Sequence, residues 1–277
     1  MNTMNKSHRD SNDLTELIKS RIERLATETD ETQRSQEFLA YLEQMSKFHS
    51  YSLGNVILIT SQYPTATRVA GARAWNKLGR YVKRGEHGIA ILAPMQVPDP
   101  QDATKTKVFF KTVYVFDINQ TDGEPLCDLD TTPTERSAWV HARLVEWLET
   151  QGYAMRYAED LNGAAGRIHF KLKVVHLLPT SGTAVLIHEC AHLILHANAN
   201  ETPASTSERE VEAEATAYVV GKHFGVETKS PAYLATWSTP EVIRASLTRV
   251  QRAANMLIQV LEGTSVKKEG TPHAELV

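Results

Sequence analysis

The chain has 277 residues, with 30 Lys and Arg against 33 Asp and Glu, a formal net charge of −3 and 42% apolar residues. That length suffices for one large domain or two ordinary ones with a real core, and the apolar share excludes global disorder. It also speaks against a uniformly basic, histone-like nucleic-acid binder, although a total conceals how charge is distributed. No stretch approaches 18 uninterrupted apolar residues, so no membrane span is expected. The opening MNTMNKSHRDSNDL lacks the apolar centre of a secretory signal. Two cysteines, Cys127 and Cys190, are too few for a disulfide framework or a four-cysteine zinc site, which points to a reducing cytoplasm.

Residues 1–12 read as a loose tail. Leu14, Leu17, Ile18, Ile22 and Leu25 then recur at helical spacing, predicting an amphipathic helix to about residue 28, and Phe38, Leu39, Leu42 and Met45 predict a second. Ser52 can cap a short apolar helix over 53–62, which Pro64 stops. GARAWNKL (71–78) predicts another short helix ended by Gly79. The period then changes. GIAILAP (88–94) and KVFFKTVYVFD (107–117) suit two strands, with the polar 98–105 between them as a hairpin loop. The segment 119–134, rich in acids with Gly and Pro, is the best linker and places a domain boundary near 127/128. Beyond it Thr134 can cap a helix ended by Gly152. Strands are expected around 153–158 and over 167–178, then helices at about 182–197, 207–224 and 239–262, with 263–277 as a second loose tail.

The sharpest chemical pattern is His188-Glu189-Cys190-Ala191-His192, inside the apolar stretch GTAVLIHECAHLILH. Residues i and i+4 share a helix face, so both imidazoles can reach one ion. Zinc suits that donor set and leaves room for a water, beside which Glu189 would stand as general base. A third ligand is needed. His196 lies about 12 Å of helix rise from His188 and cannot join both motif histidines on one ion. A metzincin-type third histidine is absent, since position 198 is Asn. Carboxylates crowd the next helix at Glu208, Glu210, Glu212 and Glu214. There Glu210, Ala213, Glu214, Ala217 and Tyr218 form a stripe whose alanines permit close helix approach. Glu210 is read as the ligand and Glu214 as an acceptor for a ligating histidine, with Glu214 as ligand the open alternative. Cys190 reads as a small buried hydrophobe. Tyr218, Tyr233 and His223 are oxyanion-donor candidates by residue type alone.

HECAHLILH followed by EVEAEATAY resembles the zincin domain of ArdC-type antirestriction proteins and the related ImmA/IrrE-like peptidases. The resemblance implies that the glutamate heading Glu-x-x-Ala-x-x-x-Ala, here Glu210, completes a gluzincin-like His-His-Glu zinc site. Upstream, Tyr51-Ser52, Asn55, Gln62, Val69-Ala70-Gly71, Trp75, Gly79-Arg80, Val82, Gly85 and Gly88 resemble the N-terminal single-stranded DNA-binding domain of the same family. Together the two regions cover roughly residues 10–240. They imply a cytoplasmic protein of a plasmid or mobile element that binds single-stranded DNA and protects incoming DNA from restriction.

The charge distribution agrees with a DNA partner. Between Lys47 and Ile91 lie Lys47, Arg68, Arg73, Lys77, Arg80, Lys83 and Arg84 against Glu86 alone, interleaved with Tyr51, Tyr63, Trp75 and Tyr81. Cations neutralise phosphates and aromatic faces stack on bases, neither requiring a particular sequence. The alternative for these residues is a solvated basic face with Trp75 in the core. The glycines at 79, 85 and 88 shape turns, since no Gly-Lys-Ser/Thr follows to make a phosphate loop. The expectation is therefore a two-domain α+β protein. Residues 13–127 form a single-stranded DNA-binding module of helices and a small sheet, and 128–262 a zincin-like metallopeptidase domain that hydrolyses peptide bonds of an unknown protein or peptide. The competing expectation is a DNA-shielding protein whose zinc domain is structural or an interaction module, with no enzymatic role.

Overall fold

The computed structural model describes residues 10–28, 31–99, 102–125, 133–197, 205–228 and 239–263; the expected loose tails lie largely outside them. The fold is α+β, in two compact units. One contains the described residues up to Glu23 and from Gly54 to 125, the other those from Arg24 to Leu53 and from 133 onwards.

In the first unit, α1 (Ser11–Thr27) contributes its stretch to Glu23 and α3 (Leu53–Gln62) its stretch from Gly54. Leu14, Ile18 and Ile22 are buried on one face of α1, as their spacing requires. Strand β1 (Val69–Ala70), β3 (Ile89–Asp99) and β4 (Asp102–Asp117) make an antiparallel sheet in the order β1-β4-β3. Helix α4 (Ala72–Lys77) ends where Gly79 takes φ +71°, and β2 (Arg80–Val82) pairs with β5 (Thr121–Gly123).

Strand β3 is a sheet edge, and two amides of α3 satisfy it. Asn55 Nδ2 donates to the Leu92 carbonyl (2.8 Å) while Leu92 N donates to Asn55 Oδ1 (2.9 Å). Gln62 does the same for Ala90, at 2.7 and 3.0 Å. These amides take the place of a further strand and hold α3 to the sheet. At the far end of β4 the fully buried Asp117 carboxylate accepts from the backbone N–H groups of Thr67 (2.7 Å), Arg68 (3.0 Å) and Asn119 (2.9 Å).

In the second unit, α2 (Glu31–Lys47), α5 (Pro133–Thr150), α6 (Thr183–His196), α7 (Thr206–Phe224) and α8 (Pro240–Glu262) pack with a three-stranded sheet. Its order is β6 (Ala154–Tyr157), β8 (Val174–Leu177), β7 (Gly166–His169), with β6 parallel and β7 antiparallel to β8. Helix α2, assigned by sequence to the N-terminal domain, lies against α7 here: Tyr218 Oη donates to Glu43 Oε1 (3.2 Å) and His223 Nδ1 bonds the Ser46 carbonyl (2.8 Å).

Four local expectations are corrected. The 98–105 segment is mostly strand, since β3 runs to Asp99 and β4 begins at Asp102, with a register shift between Pro98 and Asp99. The 167–178 run is a hairpin, β7 and β8, whose turn needs neither Gly nor Pro because Lys173 adopts φ +51°. The expected linker begins with a capping box of Asp117 and Gln120 and then with β5. There Gly123 has φ +140°, and a Cβ on it would lie 2.1 Å from the Gly79 carbonyl oxygen. Thr134 sits inside the first turn of α5, after Pro133, so it is not the cap.

Between α7 and α8, Glu212 pairs with the partly exposed Arg249. Glu212 is fully buried and accepts from Arg249 Nε at 3.0 Å. Removing one partner of a buried pair strands the other charge, at a cost of about 3–5 kcal/mol. Arg249→Met is therefore expected to destabilise the protein by about that amount in urea unfolding, and Glu212→Gln in the same background to recover part of the loss. An Arg249→Met midpoint equal to the parent would contradict this account.

Candidate functional site

The second unit assembles the metal-ligating pattern. Helix α6 runs from an N-cap at Gly182, and its Leu186, Ile187, Cys190 and Leu193 are buried, which turns His188 and His192 to the opposite side. Cys190 is fully buried and its thiol is pushed up by desolvation, in keeping with an inert packing role.

Helix α7 sorts its four glutamates into four environments. Glu208 closes a capping box with Ser205, its Oε2 accepting from Ser205 N (3.1 Å) and Oγ (2.9 Å). Glu212 is committed to Arg249. Glu210 faces the histidines, with Oε2 3.4 Å from His188 Nε2 and Oε1 3.5 Å from His192 Nε2. Glu214, one turn further on, lines the same cavity. Among the described residues no hydrogen bond joins Glu214 to either histidine, so its expected role as their acceptor is not seen. Ala213 and Ala217, almost wholly buried, let α7 approach α6.

The two imidazole Nε2 atoms lie 3.0 Å apart. Ligand atoms about 2.0–2.2 Å from a four-coordinate ion are separated by tetrahedral edges of about 3.3–3.6 Å. The two histidine–carboxylate separations, 3.4 and 3.5 Å to the two oxygens of Glu210, fall in that range, and the 3.0 Å between the imidazole nitrogens is a few tenths shorter, so a small ring movement opens the set to an ion. Two lone-pair nitrogens and a carboxylate facing one point also repel one another unless a cation or proton lies between them. The donor set thus fits a divalent ion. Hydrogen bonds from His188 and His192 hold the Glu210 carboxyl well below the ordinary carboxylate range, so it is ionised as a ligand must be.

Glu189 is 5% exposed, and burial raises its carboxyl above the ordinary range, with His188 and His192 pulling the other way. The Ile168 backbone N–H of β7 bonds it. Strand β7 lies close enough to α6 that a Cβ on Gly166 would stand 2.6 Å from Val185 Cγ1 and 2.8 Å from Glu189 Oε1. A cavity of about 620 Å³ opens over these groups, lined also by Arg167, Arg209 and Phe170. Sequence reading missed the two arginines, which neighbour the motifs but carry no spacing that marks them.

His196 stays out of the donor set, as helix rise requires. Its side chain is 1% exposed, with Nε2 3.8 Å from Glu212 Oε2, and burial lowers it to about 4, with His192 and the arginines 209 and 249 acting in the same direction. Tyr218 gives its hydroxyl to Glu43, and His223 sits at the far end of α7. Tyr233 lies outside the described residues.

The predicted DNA-contacting residues separate into distinct groups. Trp75 is 2% exposed and its Nε1–H donates to the Phe116 carbonyl (2.8 Å), so it is a core residue and not a stacking platform. Arg80 is also corrected: its guanidinium bonds Thr121 Oγ1 (2.9 Å), Thr121 O (3.0 Å) and Gly123 O (3.2 Å), stapling β2 to β5. Lys83 donates to Asn119 O (3.0 Å) and stands 3.6 Å from Asp122. Arg68, Arg73, Lys77 and Arg84 are exposed, as is the Tyr81 ring at 62%. Lys47 and the half-buried Tyr51, whose hydroxyl burial pushes up to about 12, belong to the second unit.

Sequence reading also missed Phe109 and Phe110, at 51% and 55% exposure, with Val108, Met95 and Tyr114 exposed beside them. Adjacent strand residues point to opposite faces, so both faces of the β3–β4 ribbon present an aromatic ring. The pattern Lys107-Val-Phe-Phe-Lys111 could have signalled it, because two consecutive aromatics between lysines are buried together only where both faces are covered.

Residues 10–116 match the family model described as the N-terminal domain of anti-restriction factor ArdC. The chain is 25% identical to an uncharacterized protein of Bacillus anthracis, over 82% of this chain and 48% of that protein, so it spans about half the length of the curated relative it matches. Two crystal structures of the antirestriction ArdC protein from plasmid R388 are similar, one metal-free and one Mn(II)-bound. They are 19% and 18% identical, each with a TM-score of 0.49 over 77% of this chain and 86% of theirs. Over residues 10–116, the chain carries the N-terminal domain of the ArdC antirestriction family.

Proposed function

We propose that the chain is an antirestriction protein that binds single-stranded DNA through its first unit and hydrolyses peptide bonds at a divalent metal centre, zinc by donor chemistry, in its second. The convergence of His188, His192 and Glu210 within 3.5 Å, with Glu189 buried beside them, carries the hydrolytic part. A bound ion would supply Lewis acidity and lower the pKa of a coordinated water. Glu189, held by Ile168 and raised by burial, accepts the water proton and returns it to the leaving amine. The cavity walls on β7 and α7 position an extended segment across the donors. A site serving structure alone needs no base at the position of Glu189 and is closed by a fourth protein ligand, whereas three donors face this cavity among the described residues.

Purified full-length protein is expected to contain about one equivalent of zinc per hydrolytic centre, and His188→Ala with His192→Ala to remove it. Glu189→Gln is expected to retain the metal while losing peptide hydrolysis by at least 100-fold. If Glu189→Gln keeps full antirestriction activity in cells challenged with unmodified DNA, hydrolysis has no part in that activity, and DNA shielding accounts for it.

DNA binding rests on the family match together with the exposed cations Arg73, Lys77 and Arg84 and the aromatic ribbon. Binding to a mixed-sequence single strand should weaken with salt, log K falling by about 0.7 per phosphate neutralised for each unit of log salt. Charge reversal of Arg73, Lys77 and Arg84 should flatten that slope. Phe109→Ala with Phe110→Ala should lower affinity at every salt concentration, by about 1–3 kcal/mol per lost stacking contact. If neither variant changes affinity in fluorescence anisotropy, these surfaces do not meet DNA.

A further inference from the structure

The second unit holds another cluster of metal-ligating side chains, remote from the first. His49 follows the end of α2, His223 is the penultimate residue of α7, and Glu262 is the last of α8. One ligand atom from each lies within 4.8 Å of the other two. Glu210 and His223 are thirteen residues apart on α7, about 20 Å of helix rise, so the two clusters cannot share an ion.

Hydrogen bonds orient both rings. His223 Nδ1 stands 2.8 Å from the Ser46 carbonyl, which can only accept, so Nδ1 carries a proton and the ring is held with Nε2 turned to Glu262. His49 Nδ1 stands 3.1 Å from Asn255 Oδ1, which likewise accepts and leaves the lone pair on Nε2. This is the arrangement by which an outer acceptor fixes the tautomer of a metal-ligating histidine. The rings meet edge to face with centroids 4.7 Å apart, and Glu262 Oε1 lies 3.2 Å from His223 Nε2.

Electrostatics gives a second, independent argument. The C-terminal ends of α2, α7 and α8 meet here, each contributing the partial negative charge of a helix C-terminus, with Lys47 and Lys222 in the last turns of α2 and α7. A carboxylate as the final residue of α8 is unfavourable in that field, whereas a cation is favoured.

We infer that His49, His223 and Glu262 form a second divalent-metal site that ties together the ends of α2, α7 and α8. Two imidazoles and a carboxylate suit zinc or a neighbouring late first-row ion, and exclude a calcium-type all-oxygen cage. The exposed Glu262 side chain needs a small rotation to bring all ligand separations to coordination edges. With three protein ligands the ion keeps water in the remaining position. An ion held here joins the ends of three helices, so its binding would stabilise the folded second unit.

The test uses the full-length chain with the first centre disabled by His188→Ala and His192→Ala. Dialysed against chelator and titrated with zinc, this variant is expected to bind one further equivalent and to unfold at a higher temperature when loaded. Cobalt in place of zinc should give visible d–d absorption. Adding His49→Gln and His223→Gln should abolish the equivalent, the thermal shift and the absorption. Glu262→Gln, at an exposed position that leaves the core untouched, should weaken binding at least tenfold with unchanged far-UV circular dichroism. A first-site variant that is folded but binds no zinc would overturn the inference. So would zinc binding that is unaffected by both Glu262→Gln and the double histidine substitution.

Discussion

The close approach of α7 to α6 sets the geometry of the whole candidate metal centre. Glu210 can come within 3.5 Å of two histidines on another helix only because the α7 surface next to it carries Ala213 and Ala217. A larger residue at either buried position would have to push the helices apart, which carries Glu210 away from the two histidines. On the β7 side of the same cavity, Gly166 plays the matching part, letting β7 lie against Val185 and Glu189. The motif helix is thus bordered by two surfaces of small residues. Its functional side chains are positioned by what its neighbours lack as much as by what they contain.

That compression has an electrostatic consequence. Beneath the donors, His196 and Glu212 are buried, and Glu212 finds its compensation in Arg249 across the α7–α8 interface. Neither ring nitrogen of His196 has a hydrogen-bond partner among the described residues. A neutral imidazole with unsatisfied nitrogens, next to His192 at 5.3 Å between centroids, is a costly occupant of a core. Fixing the rotamer of His192 from below is a benefit that could offset the cost, since a ring that cannot swing away keeps Nε2 directed at Glu210. Arg249 would then act on the centre at two removes, through Glu212 and His196, while touching no ligand.

Sequence spacing went furthest where one periodicity governed one element. The span of α3 is Leu53–Gln62, as expected from its apolar run, and α6, α7 and α8 fall within a residue or two of their expected limits. The His-His-Glu set was legible because i,i+4 on one helix is a local relation, and Glu210 needed only the adjacent stripe. What stayed hidden was non-local. Nothing in the series Glu208, Glu210, Glu212, Glu214 says that the first caps, the third meets an arginine of α8 and the fourth lines a cavity. Likewise α2 reads as one more N-terminal helix until its contacts with α7 are seen. The His49, His223 and Glu262 cluster joins three segments far apart in sequence and leaves no local trace at all.

The basic window illustrates why charge counts and binding surfaces diverge. Seven cations between Lys47 and Ile91 suggested a single patch, but a guanidinium is also a good backbone staple. Arg80 spends its donors on Thr121 and Gly123, holding β2 against β5, so reversing its charge would break the fold before testing DNA binding. Trp75 is similar: an indole at a core position satisfies its N–H on Phe116, whereas the rings of Phe109 and Phe110 stand in solvent on a ribbon. Exposed aromatics are costly to maintain without a partner, and paired strands carrying them on both faces can wedge between unstacked bases in a way a buried indole cannot. On the proposed reading, any aromatic contribution to DNA binding comes from the exposed rings of the β3–β4 ribbon, while Asn55, Gln62 and Trp75 build the sheet that carries them.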